Sequence, residues 1–211
     1  MNQTKNGLWN SLLLRSQVTS EDVCPPEMLF GYLIGPFGAL LASGIFTSQL
    51  QNYLTNVLKL DLGFLTTLQL LSTILIVAAN LVVGQLIERT RTLAGKARPW
   101  ILLSALTLSV ASVLMFIVPF ADRTARMVWI AIAYNAYYAV GFPIYNTANS
   151  TLVPVSTRNS KQRSTLASLT NIASLGVMGV GSMIFPTLVS MALKEDQHLW
   201  FVAMLGVAIF T

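Results

Sequence analysis

The charged residues of this chain are excluded from five long stretches of sequence. All 13 Lys and Arg and all 8 Asp and Glu side chains lie outside these stretches, which are uncharged runs of 23 to 31 residues. A helix needs roughly 20 apolar residues to cross the hydrocarbon core of a bilayer, so each run is long enough to span a membrane. The pattern predicts an all-α membrane protein. The runs cover residues 28–58, 62–87, 99–121, 127–157 and 164–193.

A sixth apolar run begins at Leu199 and continues to Thr211. As a helix it would extend only about 20 Å, because each residue adds about 1.5 Å, whereas the hydrocarbon core is about 30 Å thick. We therefore expect six transmembrane helices over residues 29–211, with the last helix truncated. A fragment of a larger transporter is the favoured interpretation, and a half-size protein with a short final helix is the alternative.

Composition and charge placement exclude several other classes. The chain is 54% hydrophobic and only 10% charged, whereas soluble domains carry roughly 25% charged residues. Its net charge is +5. If the loops between the runs are numbered along the chain, nine Lys and Arg lie in the N-terminal tail and the second and fourth loops, and four lie in the first, third and fifth loops. Cytoplasmic loops are enriched in basic residues. We therefore expect residues 1–28 to be a cytoplasmic tail, and anionic lipid, with no nucleic acid, to be the partner of the basic loops.

Two details of these boundaries are also predicted. A short amphipathic helix around Trp9 to Leu14 could lie on the membrane surface, with a disordered leader as the alternative. Trp100, Trp129 and Trp200 each stand at the start of a span, where an indole can rest among the lipid headgroups.

No arrangement of residues typical of an enzyme is found. Cys24 is the single cysteine and His198 the single histidine, and no acidic residue lies within an uncharged run. A thiolate cluster, a catalytic triad and a carboxylate metal site therefore each lack their ligands. We expect no catalytic residue, no bound metal and no cofactor.

The fourth run carries a stripe of polar and aromatic residues. In an ideal α-helix, at 100° per residue, the five members would lie within a sector of about 80°. Because polar side chains are costly in hydrocarbon, the stripe should face a cavity or another helix. Amides beside aromatic rings suit an uncharged ring-shaped ligand such as a sugar, and hydrogen bonding between helices is the alternative. The members are Asn135, Tyr138, Phe142, Asn146 and Asn149.

The loop between the second and third runs carries a recognisable motif. Residues 84–100 read GQLIERTRTLAGKARPW. The first half, with Gly84 and the Glu88–Arg89 pair, is similar to a loop signature of the major facilitator superfamily. The second half resembles the glycoside-pentoside-hexuronide:cation symporter family, of which melibiose permease is a member. Residues 35–38, 149–154 and 172–175 support the same resemblance.

The resemblance implies a fold and a place in the cell. It implies the N-terminal six-helix half of a twelve-helix transporter in the bacterial inner membrane, with substrate bound between two halves. The C-terminal six-helix half would be the missing partner. An acid–base pair at the end of the second helix would act as a conformational latch, and a solvated run of charge is the alternative. The latch residues are Gly84, Glu88, Arg89 and Arg98.

The chain departs from the family at several functional positions. Members of the melibiose-permease type use carboxylates on span two for the coupling cation, and the matching residues here are Ile76 and Asn80. The sugar-binding acids fall at Leu40 and Asn146, and an arginine of span five falls at about Thr170. An Asn amide bonds hydroxyls but does not titrate near neutral pH. We therefore expect facilitated transport, or coupling to sodium or protons through residues outside this chain.

These observations predict a transporter that carries a sugar or glycoside through a polar cavity. A carrier of lysolipids or other amphiphiles with the same fold is one alternative, and a six-helix membrane scaffold or sensor that transports nothing is another. The residues expected to bind substrate are Asn80, Asn135, Tyr138, Asn146, Asn149 and Asn171.

Overall fold

The computed structural model describes Val23, Pro25 and residues 28–92, 95–120, 122–157, 159–189, 191 and 196–210. Regular structure within these residues is entirely helical. Most of the predicted tail over residues 1–28, including the segment from Trp9 to Leu14, lies outside the described residues. The helices are α1 (Met28–Val57), α2 (Leu62–Arg89), α3 (Arg98–Phe116), α4 (Arg123–Ser156), α5 (Ser160–Leu188) and α6 (Gln197–Phe210).

Five of these helices, α1 to α5, are long and apolar enough to cross a membrane. Each coincides within a few residues with one of the uncharged runs, which confirms that the runs are helical. The helix α6 is a shorter apolar helix of 14 residues. Charged and capping residues mark the boundaries: the Asp122 carboxylate accepts a bond from the Ala125 amide, and the Asn159 side chain accepts from the amides of Lys161 and Gln162.

Two of the helices contain π-helical segments that end two residues before a proline. In α1, residues Met28–Ile34 are π-helical and Pro36 follows; in α4, residues Ala136–Gly141 are π-helical and Pro143 follows. Proline lacks an amide donor and its ring clashes with the carbonyl four residues earlier. Wider turns provide room for that carbonyl, and such π turns are frequent at functional positions. A third segment, Tyr53–Val57, ends α1.

The helices α1 and α5 cross at two glycines. A Cβ atom on Gly44 would lie 2.5 Å from the Met178 carbonyl oxygen, and one on Gly181 would lie 2.9 Å from the Leu41 carbonyl oxygen. Only glycine permits this backbone-to-backbone approach, which is the usual way helices associate where lipid supplies no hydrophobic drive.

An aromatic cluster forms the core of the bundle on the other side of α1. The Tyr53 ring lies 4.5 Å from Phe116 of α3 and 5.2 Å from Trp200 of α6. Trp200 is fully buried, so the prediction that it rests among the headgroups is wrong. Its ring stacks on Phe116, with 5° between the ring planes, and aromatic pairs of this kind stabilise a core beyond the area that they bury.

The helix α2 is the least buried of the five long helices. Its exposed side chains are large and aliphatic, for example Leu70, Ile74 and Leu81, each about two-thirds exposed. Its buried positions are Leu65, Leu68, Ser72, Val83 and Ile87. Since the buried positions recur every three to four residues apart from one longer interval, one face of α2 packs on the bundle and the other is available to lipid or further protein.

Candidate functional site

The predicted stripe on α4 is interrupted by the π-helical segment Ala136–Gly141. A π turn contains more residues than the 3.6 of an α-turn, so the angular spacing assumed for the stripe does not hold through this segment. A single 80° face across the five members stays a prediction, because the α-helical step was assumed for it. All five members are exposed or half-buried, whereas Tyr137, Ala139 and Tyr145 between them are buried. Asn135 precedes the π segment and Asn146 follows it, and their surroundings differ accordingly.

Asn135 lies within the bundle. Its side-chain nitrogen donates to the Ala131 carbonyl at 2.9 Å. Its Oδ1 atom is buried and has no hydrogen-bond partner among the described residues. The Asn135 amide oxygen is therefore enclosed by protein, whereas the residue as a whole is half-buried.

Asn146 and Asn171 are exposed on two neighbouring helices. The second half of α4 packs against α5 through a small cluster that includes Val153 and Leu166, and the Tyr32 hydroxyl of α1 bonds the Ser156 hydroxyl beside it. Asn149 is half-buried on the same half of α4. The structure thus presents amide groups on the open sides of α4 and α5.

Asn80 lies on the packed side of α2. Val83 and Ile87, three and seven residues further along, form a cluster with Ile144 and Ala148 of α4. The Asn80 side-chain nitrogen donates to the Ile76 carbonyl at 2.8 Å. Its amide oxygen, which bonds no other described residue, can accept a further hydrogen bond near the α2–α4 contact.

A partly open cavity of about 160 Å³ lies between α1, α2 and α4. It is close to the loop that joins α1 to α2, since its wall uses the last turns of α1 and the first turns of α2. Tyr138 is the single predicted site residue in its wall. The polar lining is formed by Thr47, Gln51, Gln69, Tyr134 and Tyr138.

Sequence reasoning did not find this cavity. Thr47 and Gln51 are four residues apart in α1, and so are Tyr134 and Tyr138 in α4. In a regular α-helix, residues four apart share one face. The sequence therefore offered this signal for both pairs, and the Tyr134 and Tyr138 rings are neighbours in the structure, with 4.6 Å between them. The pattern within one helix does not say which other helix that face meets, and the cavity needs all three.

The predicted latch residues lie near the end of α2 and at the start of α3. Glu88 and Arg89 are exposed in the last turn of α2 and form no hydrogen bond or ion pair with another described residue. A Cβ on Gly84 would meet nothing within 4 Å. Arg98 begins α3 and is half-buried. The Trp100 indole donates to the Thr90 hydroxyl at 2.9 Å and so ties the start of α3 to the loop.

Five long apolar helices, three of which line a partly open polar cavity, define a polytopic membrane protein. The chain belongs to the MFS/sugar transport protein family, whose family model matches residues 31–211. This match confirms the resemblance seen in residues 84–100. The family consists of transporters and not of enzymes.

Several curated proteins are similar to this chain. An isoprimeverose transporter of Lactiplantibacillus pentosus is 26% identical over 201 residues, which is 92% of this chain and 41% of that protein. The uncharacterized symporter YjmB of Bacillus subtilis (strain 168) is 26% identical over 168 residues, 77% of this chain and 36% of that protein. The inner membrane symporter YicJ of Escherichia coli (strain K12) is 26% identical, over 75% of this chain and 35% of that protein. The chain thus spans about two-fifths or less of the length of these relatives.

Proposed function

We propose that this chain is the N-terminal part of a transporter that moves a sugar or glycoside across the cytoplasmic membrane by alternating access. The observation that carries the proposal is the exposure of Asn146 and Asn171 on adjacent helices in a member of the sugar transport family. Similarity to an isoprimeverose transporter supports a glycoside as substrate.

The chemistry of the exposed side chains favours an uncharged, hydroxyl-rich substrate. An Asn amide offers two donors and an acceptor, so Asn146, Asn149 and Asn171 together match several sugar hydroxyls. Asn80, Asn135 and Tyr138 complete the proposed set. Asn80 lies beside the α2–α4 contact, and the Asn135 amide oxygen is buried. Both would therefore contact the substrate from inside the bundle, whereas Asn146 and Asn171 would contact it from the exposed surface of α4 and α5.

In this proposal, no residue of this chain couples sugar transport to the movement of a cation. The positions where the family resemblance implies carboxylates hold Leu40, Ile76, Asn80 and Asn146. None of these groups binds sodium as a charged ligand or exchanges a proton near neutral pH. Transport is therefore facilitated, or coupled to sodium or protons through residues outside this chain.

The arrangement in the membrane completes the proposal. Helices α1 to α6 form a six-helix transmembrane unit over residues 29–211, and the tail over residues 1–28 lies in the cytoplasm. Glu88 and Arg89, with Gly84 and Arg98, form a latch at the cytoplasmic end of α2 that holds one conformation and releases the other.

The test is uptake of sugars by the complete gene product that contains this chain. Isoprimeverose, D-xylose, D-glucose and a methyl glycoside are compared in proteoliposomes, with lysophosphatidylcholine as an amphiphile. Asn146→Ala should lower uptake of the transported sugar about 10-fold, since it removes hydrogen bonds to hydroxyl groups. Asn56→Ala is the matched control, because Asn56 is exposed at the far end of α1 and bonds Asn52 instead.

Three outcomes would overturn the proposal. A folded Asn146→Ala protein that takes up every sugar as fast as the parent removes the assigned binding face. Uptake of lysophosphatidylcholine without any sugar makes the protein an amphiphile carrier. A parent protein that neither binds nor moves any of these solutes is a scaffold or sensor.

A further inference from the structure

We propose that the cavity between α1, α2 and α4 is a second sugar-binding subsite that holds a single monosaccharide ring. It lies closer to the α1–α2 loop than Asn146 does. This inference rests on the proposed function and adds a site to it. It depends on the chemistry of the cavity wall, on the placement of aromatic rings within it and on its separation from the asparagines.

The polar wall of the cavity has unused hydrogen-bonding capacity. The side-chain amides of Gln51 and Gln69 and the hydroxyls of Tyr134 and Tyr138 make no hydrogen bond to another described residue, although all four side chains line the same space. The Thr47 hydroxyl donates to the Ser43 carbonyl at 2.9 Å and so remains available as an acceptor. Two amides and three hydroxyls therefore line one space, and each can still form at least one hydrogen bond. The neighbouring hydroxyls of a sugar can pair with them, since each hydroxyl both donates and accepts.

The cavity has no charge that would select an ion. None of the nine residues in its wall is ionised at neutral pH. Its remaining surface is apolar and comes from Phe46, Leu50, Leu54 and Leu65. A wall that alternates amides, hydroxyls and aliphatic groups favours a neutral ligand with one polar edge and one apolar face, which describes a pyranose ring.

Aromatic rings form a fixed floor for such a ligand. The Tyr134 and Tyr138 rings lie 4.6 Å apart with 35° between their planes. The Tyr138 ring also lies 5.0 Å from the ring of Tyr137, which does not line the cavity, and 6.4 Å from the ring of Phe46, which does. Because Tyr137 is fully buried, its contact with Tyr138 is rigid, and a preformed aromatic face lowers the entropic cost of binding.

Size and position make this site separate from the asparagines. A volume of about 160 Å³ is below the roughly 300–1,000 Å³ of sites for drug-sized ligands, so one ring fits and a larger glycoside does not fit entirely. Tyr138 precedes Asn146 by eight residues, which is about 12 Å along a helix. Asn146, Asn149 and Asn171 do not line the cavity.

The test uses the complete gene product and the monosaccharides D-xylose and D-glucose. Gln51→Leu and Gln69→Leu keep side-chain volume and remove the amides, and Tyr134→Phe removes one hydroxyl and keeps the ring. Asn56→Leu is the control, since it is also an exposed amide near the end of α1 but does not line the cavity. Each cavity variant should raise the dissociation constant and the KM of the transported monosaccharide about 3- to 10-fold, the effect of one neutral hydrogen bond, while Asn56→Leu changes neither.

The outcomes separate this inference from the proposed function. If the parent transports sugar, Asn146→Ala is impaired and all three cavity variants match Asn56→Leu within about twofold, the second subsite is overturned and the proposed function stands. A parent that transports isoprimeverose or the methyl glycoside but binds no monosaccharide overturns the second subsite alone. A parent that neither binds nor transports any of the sugars or glycosides overturns both. Should one Leu variant fail to fold, Tyr134→Phe still decides, because it retains the packing of the ring.

Discussion

At the scale of single residues, the asparagines of α4 differ in what surrounds their amides. Asn135 has a buried oxygen with no partner among the described residues, and an unsatisfied buried acceptor costs roughly 1–3 kcal/mol. Asn146 is exposed, so its amide is open to water, to a ligand or to further protein. The same side chain is thus expected to lower stability at residue 135 and is proposed to bind substrate at residue 146.

Asn135→Leu should therefore leave the protein as stable as the parent or raise its unfolding temperature. Leucine has a similar volume and removes the oxygen that lacks a partner. Its effect on sugar uptake should be smaller than that of Asn146→Leu, since the Asn135 amide oxygen is enclosed. Thermal unfolding in detergent and uptake in proteoliposomes measure the two effects. A clear loss of stability in Asn135→Leu would mean that its oxygen has a partner in the protein, such as an ordered water.

Side-chain chemistry could be predicted from the sequence at this scale, but orientation could not. Asn146 and Asn171 are polar residues in apolar runs, and both lie on exposed surfaces. The angle between Asn135 and Asn146 around the helix axis depends on the π segment Ala136–Gly141, which lies between them. Helical periodicity assumes a uniform 100° step, so it fails wherever a proline such as Pro143 widens the turns before it.

At the scale of helices, the α1–α5 crossing depends on two glycines that have no space for a side chain. A Cβ atom on Gly181 would meet the Leu41 carbonyl oxygen, whereas one on Gly176 or Gly179, also in α5, would have nothing within 4 Å. The sequence of α5 alone does not distinguish these three glycines. The space around each one depends on how closely α1 approaches it, and the sequence of α5 does not contain that information.

Gly181→Ala should lower the unfolding temperature, whereas Gly179→Ala should not. A methyl group at residue 181 forces α1 and α5 apart, and overpacking of this kind costs about 1–3 kcal/mol. At residue 179 the space is open, and replacing a glycine inside a helix by alanine is favourable by roughly 0.5–1 kcal/mol. Thermal unfolding of the two purified variants beside the parent measures the effect. Equal unfolding temperatures would show that the two helices adjust without cost.

At the scale of the whole molecule, the charge pattern was sufficient to predict where the helices lie. Lys59 and Asp61 separate α1 from α2, and Arg123 begins α4, because charged groups are excluded from hydrocarbon by a cost of several kcal/mol. The cavity between three helices was not predictable in this way. It depends on packing between residues far apart in sequence, for which the local pattern carries no information.

The proposed latch at the end of α2 would alter the rate of transport and not the binding of sugar. Glu88→Gln and Arg89→Gln should each lower the maximal rate of sugar uptake about 10-fold and leave the sugar dissociation constant unchanged, since neither residue lines the cavity or the amide face. Lys96→Gln is the control in the same loop, because Lys96 is exposed and lies outside the acid–base pair. If all three variants transport at the parental rate, the pair is only a solvated charge cluster.

The distribution of basic residues predicts the orientation of the whole bundle. Nine Lys and Arg lie in the N-terminal tail and the even loops and four in the odd loops, so the α1–α2 loop and the cavity near it should face the outside. Single cysteines are introduced at Asp61 and Ser160, both exposed, after Cys24→Ser removes the one thiol of residues 1–211 and any cysteine elsewhere in the gene product is replaced by serine. A membrane-impermeant maleimide should label Asp61→Cys in intact cells and Ser160→Cys only after permeabilisation, and the reverse pattern would invert the topology and place the cavity on the cytoplasmic side.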